Sequence, residues 1–107
     1  SFRELKRKGD EYLRILAKKG VHGIHLCGED DLIEVLSYCF SGIVIELLSV
    51  IPEKDLLDNI EQSVNPTLPE LKSGELILVA SLEHQTSLAE LLAQQGLQKN
   101  QHWALFS

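Results

Sequence analysis

The sequence predicts an α/β fold in which a short parallel β-sheet lies between two layers of helices. Two observations support this prediction. Short apolar runs typical of strands alternate with amphipathic runs typical of helices, and glycine or proline stands at most of the junctions between them. Strands that alternate with helices are joined by right-handed crossovers, which place helices on both faces of a parallel sheet. We therefore predict a three-layer sandwich with about four strands in the order 2-1-3-4, preceded by an amphipathic helix.

The first half of the chain contains two predicted helices and two predicted strands. Residues 1–19 carry apolar side chains at three- and four-residue spacing, which indicates a helix that Gly20 ends. A short apolar run follows in VHGIHLCG, and residues 32–40 return to helical spacing until the SG pair stops the helix. Residues 43–50, IVIELLSV, are rich in β-branched side chains and predict a strand that is buried on both faces.

The second half continues the alternation. Residues 52–62 predict a short polar helix, and SVNPTLPELK, with its two prolines, predicts an extended connection with room for one helical turn at LPEL. Residues 75–81, ELILVAS, form the clearest strand pattern in the chain and lead into a helix of residues 82–96. The run HWALF predicts a last short strand.

Length and composition predict one main domain. The chain has 107 residues, of which 44% are hydrophobic and 24% charged, close to the average of a soluble globular domain. We assign residues 20–107 to the α/β domain and residues 1–19 to a basic amphipathic helix that either packs on this domain or links it to another. No apolar stretch approaches the length of a bilayer-spanning helix, so we expect no membrane partner. A start without Met or a secretory leader indicates a domain of a longer protein.

Cysteine usage and charge give two further expectations. Cys27 and Cys39 lie in apolar runs, which favours buried free thiols in a reducing cytoplasm. Residues 1–19 hold seven basic and three acidic residues, whereas residues 20–107 hold three basic and thirteen acidic ones. An acidic body opposes binding to a phosphate backbone, so we expect no nucleic acid partner. The basic leader is either a solvated helix face or a contact for an acidic partner.

The candidate ligand site lies where the first and third predicted strands end, because connections diverge to opposite faces of the sheet there. The residues of these two loops are Gly28, Glu29, Asp30, Asp31, Ser81 and His84. Each loop begins a helix, whose free N–H groups favour an anion. A dinucleotide-binding loop needs G-x-G-x-x-G, yet Gly28 is the only glycine here, and carboxylates occupy the small positions. These carboxylates satisfy the helix dipole themselves and would repel a phosphate.

Several interpretations of these residues remain open. The three acids either start a helix, with one of them as its N-cap, or hold a divalent cation, although hard cations prefer oxygens from several segments. Ser81 either donates to a ligand or caps a helix, and His84 either contacts a ligand or is a surface histidine. The four histidines lack zinc-binding spacing, and no serine or cysteine lies in a nucleophile-elbow pattern. We therefore predict no metal ligands and no catalytic residues.

The order of five segments resembles the small Rossmann-like domains of bacterial sugar-modifying proteins. The segments are GIHLCGEDDLIEVL, IVIELLSVIPEK, SVNPTLPEL, ELILVASLEHQTSLAELLAQQG and HWALFS. Domains of that family occur ahead of sugar acyltransferase domains and beside sugar or FkbM-type methyltransferase domains. The resemblance covers residues 20–107 and implies nucleotide or nucleotide-sugar binding through Gly28, Ser49 and Ser81. This chain departs from the family at Asp30, where a small residue is usual, and at Ser49, where the second strand often ends in an acid.

Two functions follow from these observations. The first is a non-catalytic domain that binds a nucleotide or nucleotide-sugar within a larger sugar-modifying protein. The second is a degenerate protein-interaction or packing module that has no small-molecule ligand and contacts other domains of its parent protein or a second copy of itself. The missing glycines count against an oxidoreductase.

Overall fold

The computed structural model describes residues 1–107 and confirms the predicted fold. The elements are α1 (Phe2–Lys18), β1 (Gly23–Gly28), α2 (Asp30–Ser37), β2 (Glu46–Pro52), α3 (Glu53–Gln62), β3 (Glu75–Ala80), α4 (Gln85–Gln94) and β4 (Trp103–Leu105). A 3₁₀ segment, Tyr38–Gly42, follows α2. All four strands are parallel, and their order in the sheet is β2-β1-β3-β4, as predicted.

The first helix packs on the sheet together with α2. Its apolar stripe places Leu13 and Leu16 in the larger core cluster, where they are 2% and 6% exposed. At the far end of the sheet, the Tyr12 hydroxyl donates a hydrogen bond of 2.8 Å to the Leu105 carbonyl, and the Tyr12 ring meets Phe106 edge to face. Burial of this stripe and the bond to the last strand make α1 part of the folded domain.

The opposite face of the sheet is covered by α3, α4 and the connection before β3. The core there consists of Cys27, Leu56, Ile77, Val79, Leu88, Leu91, Leu92 and Trp103. Both cysteines are free and buried, which confirms the prediction from their apolar surroundings. None of the helices combines the length and the apolar composition that crossing a bilayer requires.

The structure corrects the second predicted strand. It begins at Glu46 and ends at Pro52, later than the predicted residues 43–50, and none of its residues is fully buried. The reason is its place at the edge of the sheet, where β1 is its only neighbour. A register shift between Ile24 and His25 adds one residue to β2 relative to β1.

Helix boundaries also differ from the predictions. The second helix ends at Ser37, and the 3₁₀ turn takes up the rest of its predicted span. The LPEL segment forms no helical turn and has no regular secondary structure, and its Leu68 and Leu71 pack against the core of that face. Pro69 within LPEL fits the absence of a helical turn because the residue before a proline avoids the α-helical conformation.

Candidate functional site

The predicted crevice lies between the ends of β1 and β3. The sequence after β1 leads to α2 on one face of the sheet, and the sequence after β3 leads to α4 on the other, so the strand ends form a switch point. The two loops touch directly, because the Glu29 N–H donates to the Ala80 carbonyl at 3.2 Å. The two loops predicted to form the site therefore do come together, whereas Ser49, which the resemblance added to the site, lies within β2.

Gly28 ends β1 opposite Ala80 of β3. A Cβ at Gly28 would collide with the Ala80 carbonyl oxygen and would lie 2.9 Å from the carbonyl carbon. The space where a Gly28 side chain would lie is thus filled by Ala80 of the neighbouring strand. Gly28 therefore allows β1 and β3 to pack closely, and no ligand group can enter between Gly28 and Ala80.

Glu29 occupies the N-cap position of α2, yet its side chain makes no capping hydrogen bond. The carboxylate instead crosses the crevice and accepts a hydrogen bond of 3.0 Å from the Leu82 N–H. The negative charge of Glu29 therefore lies where the anionic group of a ligand would meet the loop after β3. Asp30 and Asp31 stand exposed in the first turn of α2, where they complement the helix dipole.

Ser81 and His84 form a capped turn before α4. Ser81 is 5% exposed, and its Oγ accepts a hydrogen bond of 3.0 Å from the His84 N–H. His84 is the N-cap residue of α4, and its side chain is half-buried. This turn precedes α4, which begins at Gln85 and not at residue 82 as predicted, and it occupies the Ser81 hydroxyl as an acceptor within the turn.

Ser49 lies away from the crevice. We predicted that it closes the second strand, which is wrong, since β2 continues to Pro52. Its Oγ is 2.6 Å from the Nδ1 of His25 on β1. His25 is 8% exposed, and its Nε2 has no hydrogen-bond partner. Burial lowers the pKa of His25, and the nearby Glu75 opposes part of this effect.

Sequence reasoning missed this buried His25–Ser49 pair and also the acid that does follow β2. Glu53 comes directly after Pro52, starts α3, and keeps one buried carboxylate oxygen, Oε1, without a partner. With Gly28, Asp30 and Lys54 it borders a polar groove of about 370 Å³. The sequence PEK after the apolar run could have indicated this acid. Proline is common at the start of a helix, so the glutamate that follows it falls in the first helical turn, directly after the strand.

The remaining chemistry of the site is limited. Burial raises the pKa of Cys27 to about 12, and Glu53 and Asp55 add to this effect, so the thiol stays protonated. No group of three or more His, Cys, Asp or Glu side chains is arranged to hold a metal ion. No protein-family model, curated protein or solved structure matches this chain significantly.

Proposed function

We propose that this chain is a non-catalytic protein-interaction module of a larger protein, with a degenerate ligand crevice that binds no nucleotide. The observation that carries the proposal is the hydrogen bond from the Leu82 N–H to the Glu29 carboxylate across the crevice. A ligand phosphate would have to displace this carboxylate before it could reach the same donor.

The backbone donors of the crevice support this proposal because several of them are already used. Leu82 donates to Glu29, His84 donates to Ser81, and the Glu29 N–H donates to Ala80. A hydrogen bond to a charged group contributes about 1.5–3 kcal/mol. A phosphate that displaced Glu29 would gain one such bond with the Leu82 N–H and break another, so the net gain in binding free energy would be small. The nearby carboxylates of Asp30 and Asp31 would also repel the phosphate.

The burial of Cys27 and His25 supports the non-catalytic part of the proposal. The thiol nearest the end of β1, Cys27, is fully buried and protonated. The buried imidazole of His25 pairs with Ser49 in the middle of the sheet, away from the strand ends. A general acid or base needs to reach the reacting group within hydrogen-bond distance, which neither side chain does here.

An NMR amide titration tests the proposal. Nucleotides and UDP- or TDP-sugars are added at millimolar concentration, with and without magnesium. We expect no saturable shift in residues 28–31 and 81–84; a saturable shift there would overturn the proposal. The Glu29→Ala variant supplies the positive control, because inorganic phosphate can then reach the Leu82 N–H and should shift that amide. Glu34→Ala removes the same charge from an exposed position of α2, and phosphate should cause no shift of the Leu82 amide in this variant.

Nucleotide or nucleotide-sugar binding is the second candidate, and Glu53 is the observation that favours it. A carboxylate after the second strand is placed to accept hydrogen bonds from ribose or sugar hydroxyls, and Glu53 has a buried oxygen without a partner beside Gly28. In this mode the ligand is held by its hydroxyl groups, and Lys54 is the basic side chain of the groove. Saturable shifts near Gly28 with UDP-glucose that disappear in Glu53→Gln would support it; shifts that persist in this variant would argue against it.

A further inference from the structure

A second groove lies beside the crevice, between the start of α1, α2 and the loop after β3. Its volume is about 500 Å³. Leu5, Leu32 and Val35 contribute an apolar floor, while Phe2 and Leu82 stand at its sides. These five side chains give an apolar side chain of a partner a continuous apolar surface to contact.

Leu82 exposes a large apolar side chain at one side of the groove. Its side chain is 77% exposed, and Phe2 across the groove is 56% exposed. The backbone of Leu82 is nevertheless held on both sides, since its N–H donates to Glu29 and the preceding Ser81 is buried and accepts a hydrogen bond from the His84 N–H. A large apolar side chain held outward by an anchored backbone loses little entropy on binding and is therefore suited to be an anchor for a partner.

The border of the groove is acidic. Glu4, Glu29 and Asp31 line it, against Lys8 as the single basic side chain, and the amino group of Ser1 lies 4.0 Å from the Glu4 carboxylate. The side of the groove formed by α2 and the loop after β3 belongs to residues 20–107, which hold thirteen acidic and three basic residues, whereas the side formed by α1 belongs to the basic residues 1–19. Complementary charge therefore favours a basic partner. A second copy of this chain is disfavoured as the occupant, since each copy carries a net charge of −6.

We propose that this groove docks a segment of a partner protein that places an apolar side chain between Phe2 and Leu82 and lysine or arginine beside Glu29 and Asp31. The proposal rests on the proposed function of the chain as an interaction module and names the chemistry of its partner. The carboxylate of Glu29 then has two roles: it holds the Leu82 loop, and it contributes to the acidic border.

The test uses random twelve-residue peptides displayed on phage, selected against the complete chain of 107 residues. Selected peptides are synthesised with a fluorescent label, and their affinities are measured by anisotropy. Leu82→Ser removes the anchor, and Asp31→Asn removes one border charge. Val44→Ser is the matched control, because Val44 is equally apolar, is 83% exposed and lies outside the groove. All three positions are exposed, and amide spectra of the variants verify that they fold.

We expect the selected peptides to combine apolar residues with lysine or arginine and to bind with micromolar affinity. Leu82→Ser should weaken binding by about tenfold or more, Asp31→Asn by a few-fold, and Val44→Ser by less than about twofold. Binding should also weaken as salt is raised, because the border charges are exposed. Failure to select any peptide, selection of acidic peptides, or equal binding by Leu82→Ser would each overturn the proposal.

Three other results separate this proposal from the proposed function. A dimer of the chain in sedimentation that Leu82→Ser abolishes would make a second copy the occupant and would overturn the basic partner. If no peptide binds and the nucleotide titration shows no saturable shift, the groove is not a docking site, but the proposed function as an interaction module still stands. A nucleotide-dependent shift in the crevice would refute the module itself, whatever the peptides do.

Discussion

Replacing Gly28 with alanine should destabilise the fold although glycine carries no functional group. A Cβ there would overlap the Ala80 carbonyl oxygen and lie 3.2 Å from the Ala80 Cβ. Because β1 is paired on both sides, with β2 and with β3, it cannot move away from Ala80 without loss of ladder hydrogen bonds. The clash must therefore be relieved by distortion of the sheet.

The size of the effect follows from the nature of the contact. Overpacking of a core costs about 1–3 kcal/mol, and we expect about 3 kcal/mol because the obstructing atom is backbone and not a flexible side chain. For a domain of this size, that loss lowers the melting temperature by roughly 12–20 °C. With a urea m-value of about 1.5 kcal/mol/M, the unfolding midpoint should fall by about 2 M.

Urea unfolding followed by circular dichroism measures this loss, and Gly42→Ala is its control. A Cβ at Gly42 meets no atom within 4 Å, so the free energy of unfolding should change by less than about 0.5 kcal/mol. If Gly28→Ala were as stable as Gly42→Ala, the packing role of Gly28 would be refuted. If Gly28→Ala folded normally but lost affinity for a nucleotide, Gly28 would instead be a ligand contact.

Three further predictions concern the core. Leu13→Ala should cost about 2–5 kcal/mol in urea unfolding, whereas Ile15→Ala, at a half-exposed position of the same helix, should cost less than about 1 kcal/mol; equal losses would contradict the packing of α1. Because burial lowers the pKa of His25, the unfolded chain takes up the extra proton more readily, so the free energy of unfolding should fall as pH drops below about 6.5. His25→Gln should flatten this dependence between about pH 7 and pH 5, and an unchanged slope in the variant would count against the assignment. The thiols of Cys27 and Cys39, with pKa values raised by burial to about 12 and about 11, should resist a thiol reagent at about pH 8 until urea unfolds the chain; fast labelling of the folded protein would show that they are accessible.

The strand order was predictable because alternation and crossover handedness leave few topologies for four strands and their helices. The exposure of β2 was predicted wrongly from its composition alone. Apolar side chains on both faces are typical of a central parallel strand, but the predicted order already placed this strand at the edge of the sheet. Position in the sheet, and not residue type, sets how much of a strand is covered.

The site was predictable only as a location. Loops at adjacent strand ends must lie close together, and the contact of Glu29 with Ala80 confirms this. The bond between Glu29 and Leu82 joins residues 53 positions apart and depends on the direction of one side chain, which no periodicity encodes. The position of Ser49 was missed because a strand boundary and a register shift, each a local irregularity, together moved it from the strand end to a partner in the middle of the sheet.

The contact between Tyr12 and the end of the chain has a consequence for how the protein is synthesised. The Leu105 carbonyl, which accepts the Tyr12 hydrogen bond, lies 93 residues further along the chain, and Phe106 completes the aromatic pair. Within the domain α1 is synthesised before every strand, but this part of its contact surface exists only after β4 has left the ribosome. The Tyr12 contacts with Leu105 and Phe106 can therefore form only after every strand and helix of the domain has been synthesised, so they close the fold last.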